Sequence, residues 1–372
     1  MGYPSAFFRE AMKVDPLTHT LVGASLAATR LGDKTRLATA ALVIGANLPD
    51  VDVFFYFKGG DFALGFRRGW THGILALVVL PAVLGTILWL WGRWRNQGGS
   101  GPPVRPGWLM GLCYLGCLTH PSLDWLNTYG MRWWMPFRDT WYYGDSVFIM
   151  DPWLWLILGV GLLVGRRPSR AAGTSVVTMA ALVVWLVGSR APDYLPVVGS
   201  VFATLLLAFF WKPRVGWLVA HRAATGGLIL GALYIGALIS LHSITVARTH
   251  AELERQGLTT YQELMAGPTP ANPLAWDIVV GTEGVYRWGR LDWRQGGHLL
   301  MSAAELPAAR SSAKWDDILT SGQSPGFLRW VRFPWIEEEA AAAERRIFLM
   351  DARYTRDRQA GFGATRILLP ID

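Results

Sequence analysis

The chain has 372 residues, of which 52% are hydrophobic and 17% charged, and its formal net charge is +8. Soluble domains carry about a quarter charged residues. Twenty tryptophans suit a chain that meets lipid headgroups, where indole rings accumulate. This composition argues against a soluble globular protein and favours a protein embedded in a membrane.

Apolar runs then follow one another through the first two thirds of the chain. Two short runs, at about 19–30 and 37–49, fall short of a full crossing at about 1.5 Å per residue, so we expect a helical hairpin packed inside a bundle. Longer runs reach or approach the roughly 18 residues that cross a bilayer, and they lie at about 72–92, 108–126, 147–165, 172–189, 195–211 and 224–246. The pattern predicts a polytopic α-helical membrane protein with about six to eight membrane helices, the first two short.

Positive charges favour one orientation of this bundle. One set of alternate connections holds twelve Lys and Arg residues, with Asp33 as its one carboxylate: Arg30, Lys34 and Arg36; Arg93, Arg95 and Arg105; Arg166, Arg167 and Arg170; Lys212, Arg214 and Arg222. The positive-inside rule places these connections in the cytoplasm. Cys113 and Cys117 are four residues apart in one apolar run, a spacing that suits buried thiols rather than a disulfide.

The sequence changes character after residue 246. A polar helix is predicted to leave the membrane in ARTHAELERQGLTTYQELMAG, and the runs AWDIVVGTEGVYRWGRLDW and RRIFLMDARYTRDRQAGFGATRILLPI alternate as β-strands do around glycine turns. The segment EEEAAAAERR is predicted to be a helix from its propensities. We therefore divide the chain into a helical transmembrane domain, 1–246, and a small α+β domain, 247–372, on the extracytoplasmic side. Its His298 is treated as an ordinary surface residue.

Ionisable residues gather at the predicted outer ends of the helices. They are His19, Asp50, Asp52, His72, His120, Asp124, Asp145 and Asp151. Ionisable groups within a bilayer are costly and usually mark a functional site. His120 and Asp124 share a helix face if the helix continues through Pro121, although a new helix starting at that proline is an equal alternative. Asp50 and Asp52, which follow Pro49, are expected on a turn where both carboxylates face one cation.

Imidazole and carboxylate together suit zinc, manganese or iron, and the lack of thiolates argues against a closed structural zinc site. Each residue also has an ordinary interpretation. A single histidine at a helix end is commonly an interfacial polar group, Asp15 or Asp145 suits a helix N-cap, and a proton relay uses the same residue types. The joint arrangement favours a metal site.

Four ordered motifs, DPLTHTLVGASLA, GANLPDVD, RRGWTHGIL and LTHPSLDWLNTYGMRWWMPF, resemble the YdjM-like family of inner-membrane proteins, which are described as metal-dependent hydrolases. The resemblance covers roughly residues 15–155. That family is distantly similar to zinc-dependent phospholipase C and P1 nuclease, whose sites hold clustered zinc ions. The resemblance implies a bacterial inner-membrane protein that holds one to three divalent ions, zinc in the first place and manganese in the second, on His19, Asp50, Asp52, His72, His120 and Asp124.

The chemistry that follows is hydrolysis by metal-activated water. Asp50 or Asp52 would bridge ions, and Asp145 would act as general base. Arg67 and Arg68 would bind an anionic oxygen such as that of a phosphate, with headgroup anchoring as the alternative.

A site at the outer edge of the bilayer favours a phospholipid or lipid-linked phosphoester as substrate. The sequence leaves two other functions open: a transporter or proton-relay protein, and a non-catalytic scaffold with a structural metal. It contains no HExxH helix or P-loop, and no nucleic-acid footprint is predicted.

Overall fold

The computed structural model describes residues 15–95, 103–163, 195–210, 217–340, 345–356 and 363–370. These residues form two compact units. The first, here called the helical unit, contains Met12–Val51 and Arg68–Leu238, and the second, the sheet unit, contains Asp52–Arg67 and Ile239–Asp372. Segment 52–67 thus groups with the C-terminal strands. The periodicity of the sequence does not predict this grouping.

The described helices, in chain order, are α1 Pro16–Ala28, α2 Ala38–Asn47, α3 Gly60–Phe66, α4 Ile74–Trp94, α5 Pro106–Trp125, α6 Pro152–Leu163, α7 Leu195–Phe210, α8 Trp217–Arg255, α9 Trp315–Thr320 and α10 Pro325–Trp330. A 3₁₀ helix, Leu48–Lys58, continues directly from α2. Helix α8 runs without a break from before residue 224 to beyond residue 246, so the last apolar run and the polar exit helix are one element. The exit helix ends at Arg255, and the last part of the segment predicted to be helical, from Glu263 onwards, is a β-strand instead. The predicted run at 172–189 lies outside the described residues.

Three of the described helices are long and apolar enough to cross a membrane: Ala38–Lys58, Ile74–Trp94 and Leu218–Arg255. Pro152–Leu163 and Pro196–Leu207 are apolar but shorter. The expected count of six to eight spans is therefore not supported by the described residues. The helical N-terminal region itself, with apolar helices of membrane-spanning length, agrees with the sequence-based expectation.

Helices α2 and α5 touch backbone to backbone inside the helical unit. A Cβ atom on Gly45 would lie 3.1 Å from the carbonyl oxygen of Cys113, and one on Gly116 would lie 2.8 Å from that of Leu42. Small residues at such contacts let membrane helices approach closely. Both cysteines are buried and free, as their spacing predicts.

Aspartate side chains at helix starts explain where two helices begin. Asp15 caps α1 and accepts a hydrogen bond from the Thr18 amide, which confirms one of the two predicted N-caps. The other expectation, Asp145, is wrong. Asp145 has a left-handed backbone with φ of 47° and precedes α6 by several residues, whereas Asp151 accepts from the amides of Trp153 and Leu154 at the start of that helix.

The sheet unit contains two antiparallel sheets. The first has the order β1-β2-β3-β4 and the second the order β5-β6-β7. The strands are β1 Glu263–Thr269, β2 Asn272–Gly281, β3 Val285–Asp292, β4 Leu299–Pro307, β5 Pro334–Ala340, β6 Arg345–Asp351 and β7 Ala364–Leu369. One core cluster joins residues of both sheets, including Val279, Phe333 and Met350. The predicted C-terminal strands are thus confirmed.

The predicted helix in EEEAAAAERR is wrong. Glu337, Glu338 and Glu339 lie on β5, and Arg345 and Arg346 begin β6, with Glu338 paired to Ile347. Helix propensity is a weak preference that tertiary contacts override. Here β6 buries Ile347 and Leu349 at the alternate positions that a strand provides, and that burial outweighs the propensity of glutamate and alanine.

The contact between α2 and α5 gives a direct test of helix packing. We expect Gly116→Ala to lower the free energy of unfolding by about 1–3 kcal/mol, because the new methyl group collides with the backbone of α2 and overpacking costs that much. The matched control is Gly111→Ala on the same helix, where an added Cβ meets nothing within 4 Å. The control should be neutral or stabilising by up to about 1 kcal/mol. Unfolding in detergent micelles measures both, and equal effects would contradict the packing.

Candidate metal centre

Four predicted site residues come from three separate elements of the helical unit. Asp50 lies in the first turn of the 3₁₀ helix that follows α2, and His72 lies just before α4. His120 and Asp124 are one turn apart on α5, which continues through Pro121, so the interpretation with one continuous helix is confirmed. The close contact of α2 with α5 brings the end of α2 beside this turn.

The nitrogen and oxygen atoms of these four residues converge. His72 Nε2 lies 3.3 Å from Asp124 Oδ2 and 3.9 Å from Asp50 Oδ1. His120 Nε2 lies 3.4 Å from Asp124 Oδ2 and 3.6 Å from Asp50 Oδ2. One ligand atom from each residue lies within 4.8 Å of every other, and all four side chains are buried. The group could hold a metal ion.

The distances between the histidine nitrogens and the carboxylate oxygens are close to those around a zinc ion. Oxygen and nitrogen ligands bind zinc at about 2.0–2.2 Å, so neighbouring ligand atoms of a tetrahedral site are roughly 3.3–3.6 Å apart. Three of the four distances above lie in or at the edge of that range, and the fourth exceeds it by a few tenths of an ångström. His120 Nε2 and Asp124 Oδ2 make no hydrogen bond to any residue that the structure describes. Buried polar atoms without such a bond are costly, and a cation between them would remove that cost.

The two imidazoles are oriented through their other ring nitrogens. His120 Nδ1 lies 2.7 Å from the carbonyl oxygen of Ala46. A carbonyl only accepts hydrogen bonds, so Nδ1 carries a hydrogen, and Nε2 is the ring nitrogen turned towards the two carboxylates. His72 Nδ1 lies 2.9 Å from the hydroxyl of Thr71. Metal-binding histidines are generally held in this way.

Arg68 orients one carboxylate of the group. Its Nη2 donates to Asp124 Oδ1 over 2.8 Å, and its Nη1 donates to Asn127 Oδ1 over 2.9 Å. The guanidinium also lies 4.5 Å from the centre of the Tyr129 ring. Because Oδ1 of Asp124 is engaged with Arg68, Oδ2 is the oxygen that faces the two histidines.

His19 lies beside the group without being one of the four. Its ring stacks on that of His120 at 3.7 Å between centroids, and its Nε2 lies 3.5 Å from Asp124 Oδ1. A cavity of about 20 Å³ is lined by His19, Asp124 and Asn127, together with Asp15 and Asp151 among others. Such a volume holds one water molecule, so the centre has room for a water at its edge.

Asp52 and Arg67 belong to the sheet unit and bind each other. Arg67 Nε donates to Asp52 Oδ1 over 3.2 Å, and Arg67 Nη1 donates to Tyr56 over 3.2 Å. Asp52 is therefore outside the group of four, and the expectation that both carboxylates after Pro49 face one cation is corrected. Arg67 and Arg68, the two predicted anion-binding residues, are both buried, and each is paired with a carboxylate, Arg67 with Asp52 and Arg68 with Asp124.

Sequence reasoning missed the groups that orient the ligands. Thr71 directly precedes His72, and Asn127 lies one turn beyond Asp124 in a polar stretch, so both were visible as neighbours of predicted ligands. The carbonyl of Ala46 carries no sequence signal. Asp145, the predicted base, is buried in the helical unit and is not among the four residues of the group.

Comparison with known proteins gives one match. A family model described as YdjM inner membrane protein matches residues 14–192, a segment that contains all four residues of the group and none of the C-terminal strands. No curated protein and no solved structure matches the chain.

Removal of a ligand should remove the metal. We expect His120→Ala to reduce metal affinity at least about 100-fold. Replacing a residue that only orients a ligand already costs about 10–100-fold, and this change deletes a ligand atom. The control is His298→Ala, whose exposed ring lies in the sheet unit. Elemental analysis of detergent-purified protein at a controlled free zinc concentration measures the effect. Equal metal content in both variants would contradict the assignment.

Arg68 offers a test of the orienting contact. Arg68→Lys keeps the charge but loses the fork that binds Asp124 and Asn127 together, so metal affinity should fall about 10–100-fold. Arg132→Lys is the matched control, because Arg132 is equally buried and binds Asp139 over 2.7 Å. Both affinities are measured by competition with a chelator. A loss in the control as large as that in Arg68→Lys would show a general effect of buried arginine replacement.

Proposed function

We propose that the protein is a membrane-embedded metal-dependent hydrolase that cleaves a phosphoester of a lipid or lipid-linked substrate at the outer membrane–water interface. The observation that carries this proposal is the convergence of Asp50, His72, His120 and Asp124 on one point. Imidazole and carboxylate favour zinc, with manganese as the second choice. The family match supports placement in an inner membrane.

The orientation in the membrane is part of the proposal. The group of four lies at the ends of α2 and α5 and the start of α4, whereas Lys34, Arg36 and Arg105 lie at the opposite ends of α2 and α5. Since positive connections stay in the cytoplasm, the metal centre would face the extracytoplasmic side. We further propose a multi-pass chain whose C-terminal sheets lie on that same side.

The chemistry of the site can be divided between the ion and the chain. A divalent ion, when bound here, would lower the pKa of a coordinated water and polarise a phosphoryl oxygen. The chain holds the ion on the four residues, keeps the Asp124 carboxylate turned through Arg68, and provides the small cavity beside His19 for a water. In the overall reaction the water oxygen bonds to phosphorus, the ester P–O bond breaks, and a proton from the water goes to the departing alcohol.

A lipid substrate is supported by the surroundings of the centre. Trp70 lies two residues before His72 and is about half exposed, and Trp134 and Phe137 on the segment after α5 are exposed as well. Aromatic side chains at membrane interfaces hold amphiphilic molecules at headgroup level. A substrate with an apolar tail would therefore reach this side of the bundle more readily than a free nucleotide.

A structural metal is the second candidate. Four protein ligands complete a tetrahedral shell, and closed shells are typical of structural zinc, whereas catalytic zinc keeps an open position. The complete burial of His72 and His120 favours this candidate, and the cavity beside His19 favours the catalytic one.

Lipid turnover distinguishes the two candidates. Metal-loaded protein is incubated with phospholipid vesicles, and mass spectrometry detects diacylglycerol and the phosphorylated headgroup. We expect Asp50→Asn to lower the rate at least about 100-fold, because it removes the negative charge of one candidate metal ligand. A 100-fold loss corresponds to about 3 kcal/mol of transition-state stabilisation. The control Asp316→Asn changes an exposed carboxylate of the sheet unit and should keep the full rate. Full turnover by metal-free protein, or metal-loaded protein that turns over no lipid and unfolds when the metal is removed, would reject the hydrolase.

A further inference from the structure

A second site lies at the other ends of the helices that carry the metal centre. A cleft of about 830 Å³ opens in the helical unit between the connection from α1 to α2 and the start of α5. Its volume is in the range of about 300–1,000 Å³ that ligand pockets occupy. It is lined by residues 32–40, 43 and 44 and by Pro103 and Arg105.

Three cationic side chains surround this cleft. Lys34 lies 5.0 Å from the centre of the Trp108 ring, and Arg36 donates to the carbonyl oxygen of Gly92 over 2.6 Å. The Arg105 amide donates to the Thr35 hydroxyl over 2.8 Å, which ties the start of α5 to the connection before α2. All three cationic residues therefore border the same cleft.

The cleft also contains one carboxylate, Asp33, and its charge is engaged. Asp33 Oδ2 lies 3.1 Å from His221 Nε2 on α8. With three cations against one partnered carboxylate, the cleft has an excess of positive charge. Helix α2 begins here without a side-chain cap on its N-terminus, and the positive end of its dipole adds to the same field.

The cleft also has an apolar part. It is lined by Leu37, which directly precedes α2, and by Ala40, Val43 and Ile44 on α2, and Ile44 is 44% exposed. Cationic residues beside an exposed aliphatic helix face match a molecule with a phosphate at one end and a hydrocarbon chain at the other. A free anion would leave the aliphatic wall in contact with water.

We propose that this cleft binds an anionic phospholipid, with its phosphate at Lys34, Arg36 and Arg105 and one acyl chain along Val43 and Ile44. Anionic headgroups attract basic segments at membrane surfaces by about 1 kcal/mol for each Lys or Arg. The site is separate from the metal centre, because α5 extends about 30 Å between Arg105 and Asp124 at 1.5 Å per residue. The proposal does not depend on the hydrolase.

The test uses the full chain in neutral detergent. Phosphatidylglycerol, phosphatidylcholine and inorganic phosphate are titrated separately, with native mass spectrometry and melting temperature as readouts. We expect saturable binding of phosphatidylglycerol that raises the melting temperature, at least about tenfold weaker binding of phosphatidylcholine, and little effect of inorganic phosphate. Arg105→Gln should weaken phosphatidylglycerol binding about fivefold, and the double variant Lys34→Gln with Arg105→Gln about 25-fold.

Two further variants make the result specific. Arg95→Gln removes an exposed cation at the end of α4, outside the cleft, and should change the affinity less than twofold. Ile44→Gln keeps every cation and should weaken phosphatidylglycerol while leaving inorganic phosphate unchanged.

An Arg95→Gln loss equal to that of Arg105→Gln would show diffuse charge attraction and overturn the site. Inorganic phosphate binding as tightly as the lipid, with no effect of Ile44→Gln, would show a phosphate site and overturn the lipid. If the double variant does not fold, Arg105→Gln and Ile44→Gln carry the comparison. Metal content and lipid turnover are not readouts here, so failure of the hydrolase leaves this result standing.

Discussion

The backbone contact between α2 and α5 determines where the four candidate ligand residues of the helical unit lie. Gly45 and Gly116 let two helices meet where a methyl group would already collide with a carbonyl oxygen. Because the helices are this close, Asp50 at the end of α2 reaches the turn of α5 that carries His120 and Asp124. The same contact puts the carbonyl of Ala46 in reach of the His120 ring, so one packing feature both gathers the ligands and fixes their direction.

Burying two carboxylates and two imidazoles among apolar helices requires compensation. Arg68 donates a hydrogen bond to one oxygen of Asp124, and the other Asp124 oxygen lies close to the Asp50 carboxylate and to the two histidine Nε2 atoms. Two buried carboxylates this close repel each other. A divalent ion between them would replace that repulsion with attraction, which is the physical reason that the group could hold a metal ion.

Much of the site could be predicted from the sequence. The types and order of His72, His120, Asp124 and Asp50 indicated the group, because ionisable residues at the ends of apolar helices are rarely accidental. Asp52 could not be placed, since its position depends on the helix type. Residues two apart on a 3₁₀ helix point in directions about 120° apart, so Asp50 faces the histidines and Asp52 faces Arg67. The helix predicted at Glu337–Glu339 was wrong because strand pairing with β6, which buries Ile347 and Leu349, outweighs the helix propensity of this segment.

The two ends of the same helices carry opposite chemistry. At one end α2 and α5 present carboxylates and imidazoles, which suit a cation. At the other end they present Lys34, Arg36 and Arg105, together with the positive dipole end of α2, which suit an anion. Along α2 the dipole points its negative end towards Asp50, which favours a cation at that place and disfavours an isolated carboxylate. The direction of α2 therefore supports both assignments. A cation site at its N-terminus, or an anion site at its C-terminus, would place like charges together.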